Sequence, residues 1–209
     1  MPESVLSAAP AAVVFDVGNV LFHWDLRYLF DKEIADPARR AHFLGEVLTF
    51  EFHMRHDEGE ELADMVAELL SLYPDYAPEI TAYASRFNET VGGPVAGVHE
   101  LVEQLAARNV PLFALTNFGT TFWDGFYPTE PIFTHFRDIV VSGREKLAKP
   151  DPAIYALAEV RFGLPPEALF FIDDRIENIA AARARGWHGH LFTDAATLAA
   201  DLQAHGLLA

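Results

Sequence analysis

Residues 13–22 read Val-Val-Phe-Asp-Val-Gly-Asn-Val-Leu-Phe, VVFDVGNVLF: three apolar residues, one carboxylate, then a looser Val17-Gly18-Asn19 before the chain turns apolar again. A carboxylate at the end of an apolar strand costs free energy unless a partner satisfies it. Asp16 therefore asks for a cation, and no second acid follows it at Gly18. Four later runs share this texture: 111–116 (PLFALT), 138–142 (DIVVS), 169–173 (LFFID) and 189–192 (GHLF). Together with 12–16 they predict short buried strands.

Helical patterns separate the later runs. Val98, Leu101, Val102, Leu105 and Ala106 form an i, i+3, i+4 stripe closed by Asn109. Asp151-Pro152 reads as an N-cap followed by a first-turn proline, opening a helix that Gly163 ends. Ile176, Ile179, Ala180 and Ala184 make another stripe, stopped by Gly186. Buried strands alternating with helices predict an α/β fold, a doubly wound parallel sheet. Residues 23–96 break the rhythm, with helical segments around 25–34, 37–49, 57–72 and 77–89 and no strand-like run among them. They read as a helical insertion after the first strand, with the sheet resuming near residue 97. Open α/β sheets bind ligands at their strand ends, so the insertion is expected to act as a lid there.

In a parallel sheet the strand C-termini share one edge, and here they carry polar residues: Asp16, Thr116-Asn117, Ser142 leading to Lys149-Pro150, and Asp173-Asp174. Each has an ordinary reading by itself, as a turn former, a helix cap or a solvated lysine. Together they suggest more. Asp16, Asp173 and Asp174 should converge, and clustered carboxylates hold protons unless a cation joins them. Lys149 supplies one positive charge, which is too few. A hard divalent ion with oxygen ligands is the economical solution, and Mg²⁺ completes its shell with water or substrate phosphate. Such a site suits phosphoryl transfer.

Composition narrows the partners. Hydrophobic residues make up 51% of the 209, enough to build a core and exclude wholesale disorder. The formal charge of −16 argues against nucleic acid or an anionic membrane as partner. No apolar run approaches the roughly 20 residues that span a bilayer, and the N-terminus lacks the basic and apolar regions of a secretion signal. With no cysteine, disulfides and thiolate chemistry are excluded. A cytoplasmic protein is expected; no oligomeric state follows from the sequence.

The order of the motifs resembles the haloacid dehalogenase-like (HAD) hydrolase superfamily, in particular members with a helical cap inserted after the first motif. The four motifs are VVFDVGNVLF, LFALTN, the lysine of LAKPDPAIY, and FFIDDRIENI, spanning residues 13–192. The resemblance implies a Rossmann-like core of residues 1–22 and 97–209 with a cap of 23–96. It also implies a Mg²⁺-dependent phosphatase acting on a small phosphorylated metabolite through an aspartyl-phosphate intermediate. By this likeness Asp16 is the nucleophile, and Thr116 and the Asn117 amide hold phosphate oxygens beside the Gly18-Asn19 loop. Lys149 neutralises nucleophile and substrate. Asp16, the Gly18 carbonyl and Asp174 hold Mg²⁺, with Asp173 as a further or water-mediated ligand. Asn178 stands where some relatives have a second acid.

Phosphatases of the superfamily commonly carry Asp two residues after the nucleophile to protonate the leaving group, where this chain has Gly18. A branch acting on sugar phosphates reads Asp-x-Gly-Asn-Val, much as here. The alternatives are a metal-free dehalogenase using the same aspartate, or a weakened protein that only binds phospho-ligands. His23 and Asp25 are the nearest substitutes for the missing acid, followed by His53 and His56. Arg55 joins the latter two in a polar cluster of the cap. Phe118, Phe122 and Trp123 are either pocket wall or, by their helical spacing, core. His23, Trp24 and Asp25 are expected in a flap over the site.

Overall fold

A computed structural model describes residues 9–209. Residues 1–8 of the expected core, which hold half of the segment read as lacking a secretion signal, lie outside the described residues. The chain runs β1 (Ala12–Phe15), β2 (Phe22–Trp24), then five α-helices: α1 (Arg27–Glu33), α2 (Pro37–His42), α3 (Phe50–Asp57), α4 (Leu62–Leu72) and α5 (Ala77–Ser85). After β3 (Val91–Pro94) come α6 (Val98–Ala107), β4 (Leu112–Thr116), α7 (Thr120–Phe126), β5 (Asp138–Val141) and α8 (Ser142–Glu145). The last elements are α9 (Pro152–Phe162), β6 (Leu169–Asp173), α10 (Ile176–Ala184), β7 (His188–Leu191) and α11 (Ala195–Ala204).

Five strands form one parallel sheet in the order β5-β4-β1-β6-β7. All four residues of β1 are buried because helices cover both faces. Val13 and Phe15 pack with Val98, Val102 and Leu105 of α6 and Leu198 and Leu202 of α11. Ala12 and Val14 point the other way, into Ile154, Tyr155 and Ala158 of α9 and Ile179 and Ala182 of α10. Such two-sided burial is why the strands read as unbroken apolar runs. The order reverses at β1: the chain adds β4 and β5 on one side, then β6 and β7 on the other. That switch point places a crevice at the carboxyl end of β1, where Asp16 follows.

The expected strands and the helices flanking them are present. Asp151 caps α9 by accepting from the Ala153 amide, Pro152 opens it, and Gly163 ends it at φ +66°. Residues 23–96 need two corrections. They do contain strand: β2 and β3 pair antiparallel, with Phe22 opposite Pro94 and Trp24 opposite Val91. Three residues facing Val-Gly-Gly-Pro offer no apolar alternation, and the two partners lie far apart in sequence. The second correction is α3, which the expected helices 37–49 and 57–72 straddled. Thr49 starts it by accepting from the Phe52 amide at 3.1 Å. Gly59, at φ +97°, then breaks the chain before α4, in a conformation that side chains resist.

The insertion has no separate core. Leu29, Phe30, Phe43, Tyr83 and Phe87 are continuous with Phe118, Phe122 and the α6 face of the sheet. Phe87 and Phe122 stack at 3.8 Å across the junction. Burying an aromatic side chain of this size contributes roughly 1.5–3 kcal/mol, so the helices dock firmly on the sheet edge. Among the described residues no helix is long and apolar enough to cross a membrane.

Candidate active site

Lys149 is the electrostatic centre of the sheet edge. Its Nζ lies 2.8 Å from Asp16 Oδ1 and 2.8 Å from Asp173 Oδ2, and the side chain is almost wholly buried. Asn117 fixes the lysine's backbone from both sides. Its Nδ2 donates to the Lys149 carbonyl at 3.0 Å, and the Lys149 amide donates to its Oδ1 at 2.8 Å. Asp173 also accepts from the Arg175 amide at 2.8 Å. Carboxylate oxygens of Asp16, Asp173 and Asp174 all lie within 4.8 Å of one another.

The charges do not balance. Burial pushes Asp16 up to about 7; Lys149 pulls against this, while Asp173 and Asp174 push further up. Asp174 is raised too, by burial and by Asp173. Burial alone would lower the Lys149 ammonium, but Asp16 and Asp173 reverse that and hold it above the ordinary lysine value. Three carboxylates against one ammonium leave negative charge that a divalent cation removes. The all-oxygen donor set fits Mg²⁺.

A cavity of about 300 Å³ opens onto these carboxylates. Asp16, Gly18, Asn19, Asn117, Lys149 and Asp174 reach it from the sheet edge, with Arg175 and Asn178 beside them. Trp24, Phe50, Met54, Phe87, Val91, Phe118 and Phe126 make most of the remaining wall, and it is apolar. A Cβ built on Gly18 would meet nothing within 4 Å, so the glycine there is not required by close packing at Cβ. Thr116 and Asp173 stand behind the wall, not in it. The Thr116 hydroxyl, in a residue 1% exposed, turns to the Asn117 carbonyl at 3.4 Å.

Of the flap residues only Trp24 faces the cavity. Asn19, left-handed at φ 55°, accepts from the Trp24 amide at 3.0 Å and so anchors the flap. His23 is exposed, and Asp25 accepts from the Arg27 amide at the start of α1. The polar cluster of α3 divides. Arg55 turns outward to Glu60 and Glu68 at 2.6 and 2.7 Å. His56 bonds the Glu60 carbonyl at 2.7 Å and packs on Gly119, where a Cβ would lie 1.9 Å from its ring. His53 alone of the three lines the cavity. Its Nδ1 is 2.8 Å from the Tyr83 hydroxyl, and burial pushes its pKa down to about 3. Phe122 and Trp123 are core, whereas Phe118 serves both core and wall.

Two polar residues of the wall escaped the sequence reading, Asp57 and Arg175. Asp57, expected at the start of a helix, ends one. The usable signal was its spacing of four from His53, which puts both on one helical face; the His53 Nε2 and Asp57 Oδ2 atoms are 3.7 Å apart. Arg175 lies against the Phe50 ring, 5.5 Å from its centroid.

Three comparisons bear on this geometry. A family model described as haloacid dehalogenase-like hydrolase matches residues 10–186. The chain is 27% identical over 195 residues to a sesquiterpene phosphatase of Aspergillus oryzae, covering 92% of this chain and 94% of that one. Among solved structures it is similar to a HAD family enzyme of Bacteroides thetaiotaomicron in complex with magnesium and inorganic phosphate. The TM-score there is 0.69 at 19% identity, over 88% of this chain and 95% of the other. It is also similar to the L-2-haloacid dehalogenase of Xanthobacter autotrophicus, with a TM-score of 0.60, 17% identity, and 96% and 84% of the two chains covered. The shared fold thus hosts both chemistries.

Proposed function

The chain belongs to the haloacid dehalogenase-like hydrolases, and on that premise we propose that it is a Mg²⁺-dependent phosphomonoesterase. It would hydrolyse a small phosphorylated metabolite through an aspartyl-phosphate intermediate on Asp16. The observation that carries this reading is the convergence of Asp16, Asp173 and Asp174 around a single buried lysine. Metal-free displacement of halide has no use for three carboxylates at one point.

Asp16 is the nucleophile in this proposal. Lys149 and the Asn117 amide hold phosphate oxygens at the Gly18-Asn19 loop, and Thr116 joins them if its hydroxyl turns from the Asn117 carbonyl. Asp16, Asp174 and the Gly18 carbonyl would hold magnesium, with Asp173 behind them; bound there, it would neutralise the carboxylates and draw charge from the phosphate. Residues 1–22 and 97–209 serve as the core. Residues 23–96 serve as a cap that excludes water and shapes the leaving-group pocket.

The motif Asp-x-Gly-Asn-Val pointed to sugar phosphates. The cavity wall favours a different leaving group, because nine apolar side chains line it and the cap adds only His53 and Asp57 as polar ones. The similarity to a sesquiterpene phosphatase supports the same direction. We therefore propose a phosphate ester of an apolar, isoprenoid-like alcohol. Each methylene buried contributes about 0.8 kcal/mol, roughly fourfold in kcat/KM. Phosphate release should be measured with and without Mg²⁺ across alkyl, isoprenoid and sugar phosphates, and halide release from a 2-haloacid. Sugar phosphates outperforming long alkyl phosphates would overturn the substrate class. Halide release in excess chelator would establish the dehalogenase instead, and no turnover of any substrate a binding protein.

A further inference from the structure

We propose that Asp57, at the C-terminal end of α3, is the general acid and base of this site, supplying from the cap what Gly18 lacks in the core. The inference rests on the phosphomonoesterase reading. An aliphatic alcohol leaves poorly as its alkoxide, and a positioned acid is worth about 10²–10⁴-fold. Some group lining the cavity must therefore carry that proton.

The alternatives fall away one by one. His23 is exposed, and Asp25 is engaged at the start of α1; neither lines the cavity. His53 is buried and neutral, and a neutral imidazole is a very weak acid. Lys149 is held between two carboxylates. The Arg175 guanidinium pairs with Glu177 and is too basic to release a proton. Asp57 remains. It is 5% exposed, lines the cavity, and interacts electrostatically with both Asp16 and Lys149. Burial pushes its carboxyl up to about 8, against the pull of the Gly119 amide, so it holds its proton at neutral pH and can still release it.

The helix end that bears this carboxyl is held in place. The Asp57 carbonyl accepts from Ser142 Oγ at 2.5 Å, and the same hydroxyl oxygen accepts from the Phe118 amide at 3.0 Å. The end of α3 is thereby tied to the loop after β4 and to the first residue of α8, at the sheet edge that carries Asp16. His53 flanks the carboxyl, and the Gly119 amide donates to it.

The step balances. An Asp16 oxygen bonds to phosphorus as the bond to the leaving oxygen breaks; that oxygen keeps the electron pair and takes the Asp57 proton, giving the alcohol. The Asp57 carboxylate then removes a proton from water as the water oxygen bonds to phosphorus. The Asp16–phosphorus bond breaks, inorganic phosphate forms, and both aspartates return to their starting states.

The test is a rate series over aryl and alkyl phosphates of graded leaving-group acidity, using the full chain with Mg²⁺. The wild type should show a shallow dependence. Asp57→Asn should turn it steep, losing about 10²–10⁴-fold on alkyl phosphates and under about tenfold on p-nitrophenyl phosphate. Gly18→Asp added to Asp57→Asn should restore part of the alkyl activity, since a Cβ at that position meets nothing within 4 Å. A uniform loss across the series would mean a structural role and overturn the proposal. So would a steep wild-type dependence, a measurement that needs no variant to fold. Phosphate release that depends on Asp16 but has the same slope in Asp57→Asn overturns Asp57 alone. No release by the wild type from any ester overturns the underlying reading as well.

Discussion

Asn178 donates from Nδ2 to both carboxylate oxygens of Asp173, 3.0 Å to each. With Lys149 Nζ and the Arg175 amide also on that carboxylate, Asp173 is held on every side. Asn178 is thus a partner of an acid, whereas its position in the fourth motif had raised the question of a metal ligand. Among the described residues Asp174 has no such side-chain partner, only its own amide, and it borders the cavity.

The two residues should therefore differ in their effect on metal. Asp174→Ala should raise the Mg²⁺ needed for half-maximal activity by more than about 100-fold, and Asn178→Ala by about tenfold, the scale of losing an orienting partner. Mg²⁺ titrations of activity and calorimetric binding check this. Equal effects would mean that Asp174 holds no metal.

Asp16→Asn should abolish turnover, by roughly 10⁴-fold or more. The fold should survive, because the side chain is nearly isosteric and one of three crowded carboxylates is removed. Circular dichroism and a thermal melt verify folding, and phosphate release reports activity. Residual activity near wild type would remove the nucleophile assignment.

Lys149→Met should destabilise the metal-free protein by about 3–5 kcal/mol, since it strands Asp16 and Asp173 without their counterion. Asp16, already raised to about 7 by burial, would then favour protonation in the folded state more strongly. A raised carboxyl pKa contributes stability below the unfolded value and loses it as pH rises. The deficit should accordingly be smaller at pH 5 than at pH 8. Urea titrations in chelator at both values measure it, and a pH-independent deficit would contradict the electrostatic account.

Asp57 has its own pH signature. Its folded pKa is raised from 3.8 to about 8, so folding takes up a proton between those values. Its contribution is full below about pH 4, declines as pH rises, and is flat above about 8. Asp57→Asn lacks this loss and should be the more stable protein at pH 8, by a few kcal/mol and at most ~5. Asp16, Glu58, Lys149, Tyr83 and His53 surround the group in both proteins, so their titration largely cancels in the difference. An Asn variant less stable than wild type at pH 8 would show that the carboxyl is ionised there.

Phe50 is 41% exposed at the cavity mouth, so Phe50→Ala should leave stability nearly unchanged. It should lower kcat/KM for long alkyl phosphates by about tenfold through lost apolar contact, and for short ones much less. Kinetics on butyl and dodecyl phosphate compare the two. An equal loss on both would mean that Phe50 does not meet the alkyl chain.

By itself the sequence determined the sheet and the charged half of the site. Strands buried on both faces must be continuous apolar runs, and a parallel sheet brings all their C-terminal residues to one edge. The meeting of Asp16, Lys149, Asp173 and Asp174 follows from chain order and local pattern alone. The absence of an acid at Gly18 was equally plain, being a fact of one position. What could replace it was decided only by tertiary structure. The short helices of residues 23–96 carry too few turns for their periodicity to fix their ends, and the β2–β3 pair depends on residues distant in the chain. Asp57 reaches the cavity because Gly119 lets His56 pack close and because Ser142, 85 residues on, bonds its carbonyl. Contacts of that range leave no periodic trace in the sequence, since each depends on where another segment has already been placed.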